Sequence, residues 1–315
     1  MSMADYSPQA PGAVVMVRPH HFKPNPQTAS DNGFQRAGAD GDAARARAEV
    51  TRMAGTLAEA GVRVHLFEDR SERTPDSVFP NNWFSTHPGG HVAIYPMYAR
   101  NRQLERRWDI VEMLKAEYRV QDVIDYSGLE NDGLYLEGTG AMVLDHLGRV
   151  AYAVRSNRTS EIVLERFCAH FNFEPMIFAA ADRRGRPIYH TNVLMCIGTA
   201  FALVGGAMIT DPARREEIRQ RLAESGRDVI DLDPDQIDNF AGNALELRGR
   251  DGRVLALSRR ARDSLRLDQI ARIEKSARLL PIDVPTIELA GGSVRCMLAG
   301  IHLSRRTAKE EEATP

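Results

Sequence analysis

Asn82-Trp-Phe-Ser-Thr-His-Pro-Gly-Gly-His-Val-Ala-Ile-Tyr95 reads as two short strands joined at Pro88-Gly89-Gly90, where glycine supplies the positive φ a tight turn requires. The same grammar of a polar or glycine entry, an apolar run, a turn and a return strand recurs along the chain. It is read at Glu137 to Val154, turning near Leu147-Gly148, and at His190 to Val204, turning near Gly198. Two more copies run from Gly242 to Leu257, turning at Arg250-Asp251-Gly252, and from Gly291 to Leu303, turning near Gly300.

Amphipathic helices alternate with these hairpins. Ala44 to Ala60 sets Val50, Met53, Leu57 and Ala58 on one face and stops at Gly61; Asn101 to Tyr118 sets Leu104, Trp108, Val111 and Leu114 together. Thr159 to Phe171, Asp211 to Ser225 and Ser264 to Leu279 repeat the pattern, with Asp211-Pro212 as a cap and first-turn proline. A further strand, such as Val62 to Leu66, follows the helix. The repeated unit is therefore ββαβ. Such units cannot bury their faces alone, so an α/β fold is expected in which five of them stack around one axis as a pseudo-symmetric propeller, closed by Val14 to Val17 pairing with a late strand. The expected division is a flexible lead at 1–12, a single α/β propeller domain at 13–303 and a charged tail at 304–315.

The chain has 315 residues with 41 basic and 43 acidic groups, a net charge of −2, which gives no polybasic field for nucleic acid or an anionic membrane. A small-molecule or protein partner is expected, and the oligomeric state, self-association included, is left open. Three scattered cysteines make no disulfide framework and favour the reducing cytoplasm, and residues 1–17 lack the pattern of a secretory signal. Val193 to Ile209 is uncharged and about long enough for a membrane span, but its glycines divide it into two buried strands. His87 and His91 straddle a turn without zinc-like partners, so neither metal nor cofactor is expected.

Cys296 follows Gly291-Gly-Ser-Val-Arg, where glycines allow close approach to a thiol; a buried strand cysteine is the plain alternative, and Cys168 and Cys196 fit it. His190 opens the third hairpin and suits acid–base work or simple packing. Glu137, flanked by Leu136 and Gly138, heads the second. In a radial array the heads of three hairpins converge, which would bring a nucleophile, a proton shuttle and an orienting carboxylate together.

At this point the chain resembles, from Val14 to about Leu303, the guanidine-modifying enzymes of the pentein fold: arginine deiminases, dimethylarginine dimethylaminohydrolases and amidinotransferases. The resemblance rests on Asp76-Ser-Val-Phe-Pro-Asn-Asn82, Leu136-Glu-Gly138, Ser156-Asn-Arg-Thr159, the strand beginning at His190, Gly242-Asn243 and the Cys296 segment. The strings Asn-Asn-Trp-Phe-Ser and Tyr-His-Thr-Asn look closest to the citrulline-utilisation hydrolases. The resemblance implies that Cys296 attacks the carbon of a guanidino or ureido group, that His190 is acid then base, and that Glu137 holds His190 or a substrate nitrogen. It also implies that Arg158 grips the substrate α-carboxylate, with Asp76, Asn82, Asn192 and Asn243 as further binding residues. Where arginine-type enzymes carry acids, Asn82 and Asn192 stand here, and an amide both donates and accepts. Citrulline, hydrolysed to ornithine, ammonia and carbon dioxide without a cofactor, is the expected substrate. The alternatives are a dimethylarginine hydrolase or arginine deiminase, and, in another class, a non-catalytic pentein-fold binding module.

Overall fold

In the computed structural model, which describes residues 7–306, the strands are β1 (Ala13–Pro19), β2 (Arg63–Asp69), β3 (Phe84–His87), β4 (His91–Ile94), β5 (Asp122–Asp125), β6 (Met142–Asp145), β7 (Val150–Val154) and β8 (Glu174–Phe178). They continue as β9 (Met195–Ile197), β10 (Phe201–Val204), β11 (Asp228–Asp231), β12 (Leu245–Gly249), β13 (Gly252–Ser258), β14 (Arg278–Ile282) and β15 (Ala299–Gly300). They make five sheets of three strands. In β3-β4-β5, β6-β7-β8, β9-β10-β11 and β12-β13-β14 the first pair is antiparallel and the third strand runs parallel to the second. A parallel partner requires a crossover, and in each sheet at least one helix fills it.

The hairpin turns fall where the glycines stand. His87 pairs with His91 across Pro88-Gly89-Gly90, and both glycines have φ 97°. The uncharged stretch at 193–209 is the hairpin β9-β10, and no helix among the described residues is long and apolar enough to cross a membrane.

The fifth unit departs from the sequence reading. Residues 291–303 do not form a hairpin: two short 3-10 turns, Ile287–Ala290 and Val294–Met297, lead into the two-residue strand β15. Its antiparallel partner is β1, with Val14 opposite Gly300 and Val15 opposite Ala299, and β1 in turn runs parallel to β2. The expected closure by Val14 to Val17 is thus present, and the fifth unit is assembled from both ends of the chain.

Packing explains the helix boundaries. Asp42–Glu59 buries Ala46, Val50, Met53 and Leu57 in one stripe against β1 and β2, and Gly61, φ 90°, ends it. The segment 101–118 is not one helix: a 3-10 turn at Arg102–Glu105 precedes the helix Trp108–Glu117. Leu104 and Trp108, expected in the core, are 47% and 57% exposed, while Ile110, Val111 and Leu114 are buried. The last helix is Leu267–Ile273, shorter than the 264–279 expected, because Arg278–Ile282 extends beside β13 as a strand. Of the lead expected to be flexible, residues 7–12 are held down, with the Gln9 side-chain amide donating to the Leu144 and Ile197 carbonyls at 3.0 Å each. The charged tail beyond residue 306 lies outside the described residues.

Neighbouring sheets touch through their first strands, β6 on β9, β9 on β12 and β15 on β3. One buried ion pair ties two of them: Arg227, before β11, donates to both Asp145 carboxylate oxygens at the end of β6, at 2.7 and 2.8 Å. Asp145→Ala leaves that guanidinium buried without its carboxylate and is expected to cost about 3–5 kcal/mol, a fall of about 5–8 °C in thermal midpoint. Scanning calorimetry checks this, and Asp145→Ala/Arg227→Met should recover part of the loss.

Candidate active site

A short turn or bend precedes the first strand of each sheet, and each carries a candidate residue. Asn82 ends the 3-10 turn Pro80–Asn82 before β3, and Glu137 stands at the head of the helical turn Gly138–Ala141 before β6. His190 heads the turn Thr191–Val193 before β9, which contains Asn192; Asn243 lies just before β12; and Cys296 is on the turn Val294–Met297 before β15. The turns of Asn82, Glu137, His190 and Cys296 are joined by direct contacts among them. Two glycines permit this. A side chain at Gly138, φ 46°, would run into the Asn81 carbonyl, and one at Gly140 would run into Asn82 Nδ2 and lie 2.8 Å from His190 Nδ1.

Cys296 is buried, and its sulfur receives two N–H groups, from Asn192 Nδ2 at 3.3 Å and Asn243 Nδ2 at 3.2 Å. Asn243 is fixed by Nδ2 donating to the Asn192 carbonyl and by Oδ1 accepting from the Arg295 amide. The other two thiols do not share this setting. Burial pushes Cys168 and Cys196 up to about 12, which leaves both protonated and inert.

His190 and Glu137 form a buried pair, Nε2 to Oε2, at 2.8 Å. Glu137 also meets Arg158 Nη1 at 3.4 Å and Arg102 Nη1 at 3.5 Å. Burial alone would raise the Glu137 carboxyl, but Arg158, the His190 hydrogen bond and Arg102 together outweigh it and hold it well below the usual range. Burial takes His190 the other way, down to about 4, against the opposing pull of Glu137. A carboxylate accepts only, so Nε2 carries the imidazole proton and Nδ1 is the free base, facing the space above Gly140.

Arg158 is buried rather than a surface arginine at a helix start. Its guanidinium holds the Asp31 carboxylate with two prongs, at 3.0 and 2.5 Å, and lies 4.7 Å from the centre of the Tyr189 ring. Asp31 belongs to residues 20–41, which carry no helix or strand and drape over the site: Asn25 donates to Asp76 at 2.9 Å and Asn32 to the Ala290 carbonyl at 3.0 Å. Asp76, whose pKa burial raises, and Asn82, whose Oδ1 accepts from Arg102 Nη1 at 2.9 Å, complete the lining. Asp76, Asn82, Arg102, Arg158, His190 and Cys296 enclose one cavity of about 10 Å³, enough for about one water.

Two residues at this site escaped the sequence reading. Arg102, fully buried and paired through both prongs with Glu105, is spaced i,i+3 from it in a run rich in arginine and glutamate, which reads as a solvated helix face. Asp31 lies in a segment without periodicity. His87 and His91, considered as chelators, are otherwise engaged, with Ser85 and Asp122 respectively.

The family model described as "N,N dimethylarginine dimethylhydrolase, eukaryotic" matches residues 18–303. The chain belongs to that family. Its structure is similar to ArgZ, an arginine dihydrolase from the ornithine-ammonia cycle in cyanobacteria, with 17% identity, a TM-score of 0.72 and 94% of this chain covered. This chain spans 41% of the ArgZ chain. The N-terminal domain of ArgZ, solved as a C264S mutant with substrate bound, matches over 92% of this chain and 97% of its own, at 18% identity and TM-score 0.70. A dimethylarginine dimethylaminohydrolase with an S-methyl-L-thiocitrulline adduct matches at 14% identity and TM-score 0.60, over 93% of this chain and 99% of its own. A comparison with curated protein sequences finds no match. The mixed α/β architecture is thus that of the pentein guanidine-modifying enzymes.

The electrostatics give a direct expectation. Long-range ¹H–¹⁵N spectra of the imidazoles should show His190 neutral and protonated at Nε2 at pH 6, taking its second proton only as the pH falls through about 4. An imidazolium signal from His190 at pH 6 would contradict the assignment.

Proposed function

We propose that this chain is a cysteine-dependent hydrolase of C–N bonds in ureido or guanidino amino acids, and that citrulline is its substrate. The reading is supported by the family, by the setting of Cys296 between two amide donors, and by the His190–Glu137 pair in the same enclosure. In this reading the five sheets stand radially about one axis, and the turns before their first strands form one end of it.

The observation that carries the substrate choice is a set of buried atoms without partners: Asn82 Nδ2, Asn192 Oδ1 and Asp76 Oδ1. Arg102 can only donate, so the Asn82 oxygen is the atom it holds and the free atom is the NH₂. One donor and two acceptors are then unsatisfied. A ureido group matches them with one carbonyl and several N–H groups, whereas a guanidinium has no acceptor for Asn82. ArgZ, an arginine dihydrolase, favours arginine as the second reading.

The Cys296 thiolate forms a C–S bond to the ureido carbon, and His190, having taken up the thiol proton, delivers it to the departing nitrogen as one C–N bond breaks. Water, deprotonated by His190, then attacks the adduct and the C–S bond breaks to release a carbamic acid, whose decarboxylation breaks the second C–N bond, so that citrulline and one water give ornithine, ammonia and carbon dioxide. Arg158 would bind the substrate α-carboxylate in the two-pronged contact that Asp31 now occupies. A cavity of about 10 Å³ does not admit an amino acid, so Asp31 and its loop must move aside first.

Wild type and Cys296→Ala are to be incubated separately with citrulline, arginine and dimethylarginine, with ammonia and the amino-acid product measured. Ornithine from citrulline, absent in the mutant, is expected; citrulline accumulating from arginine or dimethylarginine overturns the ureido assignment. Asn82→Asp/Asn192→Asp should move the kcat/KM ratio at least about tenfold toward guanidinium substrates, since it replaces the free donor with an acceptor. Asp31→Ala should lower KM with little change in kcat, because it removes the carboxylate competing for Arg158.

A further inference from the structure

Behind the nucleophile's turn lies a second cavity, of about 40 Å³, that the proposed reaction does not use. Arg295 and Cys296 are adjacent on the turn Val294–Met297, yet Cys296 lines the first cavity and Arg295 the second. Ser85, Thr86, Leu144, His146 and His302 are among the other walls, and none of the lining residues is an aspartate or glutamate.

Arg295 sets the problem. The other deeply buried arginines each grip a carboxylate: Arg102 that of Glu105, Arg158 that of Asp31, Arg227 that of Asp145. Arg295 is only 8% exposed, its Nε has no hydrogen-bond partner, and its guanidinium makes no hydrogen bond or ion pair among the described residues. The ionisable groups that favour its charge are Cys196 and Cys296, and Cys196 is held protonated by burial, while His146 and His302 beside it can only oppose that charge when protonated. A guanidinium keeps its charge in proteins, so one that is buried and unpaired calls for an anion.

The imidazoles beside it are also incompletely used. His302 donates from Nδ1 to the Pro8 carbonyl at 3.1 Å, which leaves its Nε2 free. The His146 ring stacks on it at 4.2 Å, and His146 Nδ1 is buried without a partner. The cavity has room for about three waters, too little for an amino acid or a nucleotide and enough for an ion of a few heavy atoms.

We propose that this cavity holds one small monoanion, of the size of a halide or bicarbonate, bound by the Arg295 guanidinium with His146 as a second hydrogen-bonding group. The anion supplies the counter-charge the chain omits. It also fixes from behind the turn that presents Cys296, because Arg295 and Cys296 share that turn.

The full chain, crystallised from halide-free buffer and soaked in bromide, should show an anomalous peak within hydrogen-bonding distance of the Arg295 guanidinium. In solution, chloride or bicarbonate exchanged for gluconate at constant ionic strength should raise the thermal midpoint by about 2–5 °C at saturating anion, and Arg295→Met should abolish the rise. The two salts, tested separately, tell a halide from bicarbonate. Equal midpoints in all salts with only water in the cavity overturn the proposal. A rise that persists in Arg295→Met overturns it too, by placing the anion elsewhere. If Arg295→Met does not fold, the wild-type anomalous map decides. Neither readout depends on turnover, so the result stands apart from the substrate assignment.

Discussion

A two-residue pairing holds the site together. β15 is only Ala299–Gly300, and it is secured by antiparallel pairing to β1, reinforced by the Ile301 amide donating to the Ala13 carbonyl at 2.8 Å. The turn that carries Cys296 runs directly into it, so the sulfur is placed by the opposite end of the chain rather than by a local hairpin. The other four sheets each form from one continuous stretch. Their turns can take shape locally, but the amides of Asn192 and Asn243 find the sulfur only once the chain has closed. Long-range closure carries an entropic cost that only the finished core offsets, and β1 meets that cost through its parallel pairing with β2 and the stripe of Val50, Met53 and Leu57 packed over it.

Repetition made much of this legible in the sequence. Glycines at 89 and 90 and the alternation around them fix one hairpin, and the same pattern locates three more, because tight turns and period-two burial are local demands. Glu137, His190 and Cys296 stand out in the sequence for a related reason: each stands at the same point of the repeat, just before a first strand, and the structure gathers those turns. The fifth hairpin is absent although Gly291 and Gly300 resemble turn residues, because the strand that pairs with β15 comes from β1. Arg102 was invisible for a different physical cause. Arg102, Arg106 and Arg107 are chemically alike in sequence, and only the docking of the 3-10 turn Arg102–Glu105 beneath Asn82 decides which one is buried. Asp31 has no periodicity to betray it, and its partner is far away in sequence.

The buried charges then follow from one another. Glu137 stays ionised because two guanidinia and the His190 N–H surround it, and an ionised Glu137 fixes which imidazole nitrogen is free. Both guanidinia keep second carboxylates, Arg102 that of Glu105 and Arg158 that of Asp31, so each buried cation of the enclosure has a partner besides Glu137. Under the proposed reading this balance bears on binding. A substrate carboxylate that displaces Asp31 from Arg158 replaces one anion by another, and no charge is left buried and unpaired. In that reading a neutral ureido head adds no further charge, whereas a guanidinium would add a third cation to an enclosure lined by Arg102 and Arg158. Under the proposed reading, the amides at 82 and 192 are there for a head that both donates and accepts, since each arginine of the enclosure already holds a carboxylate.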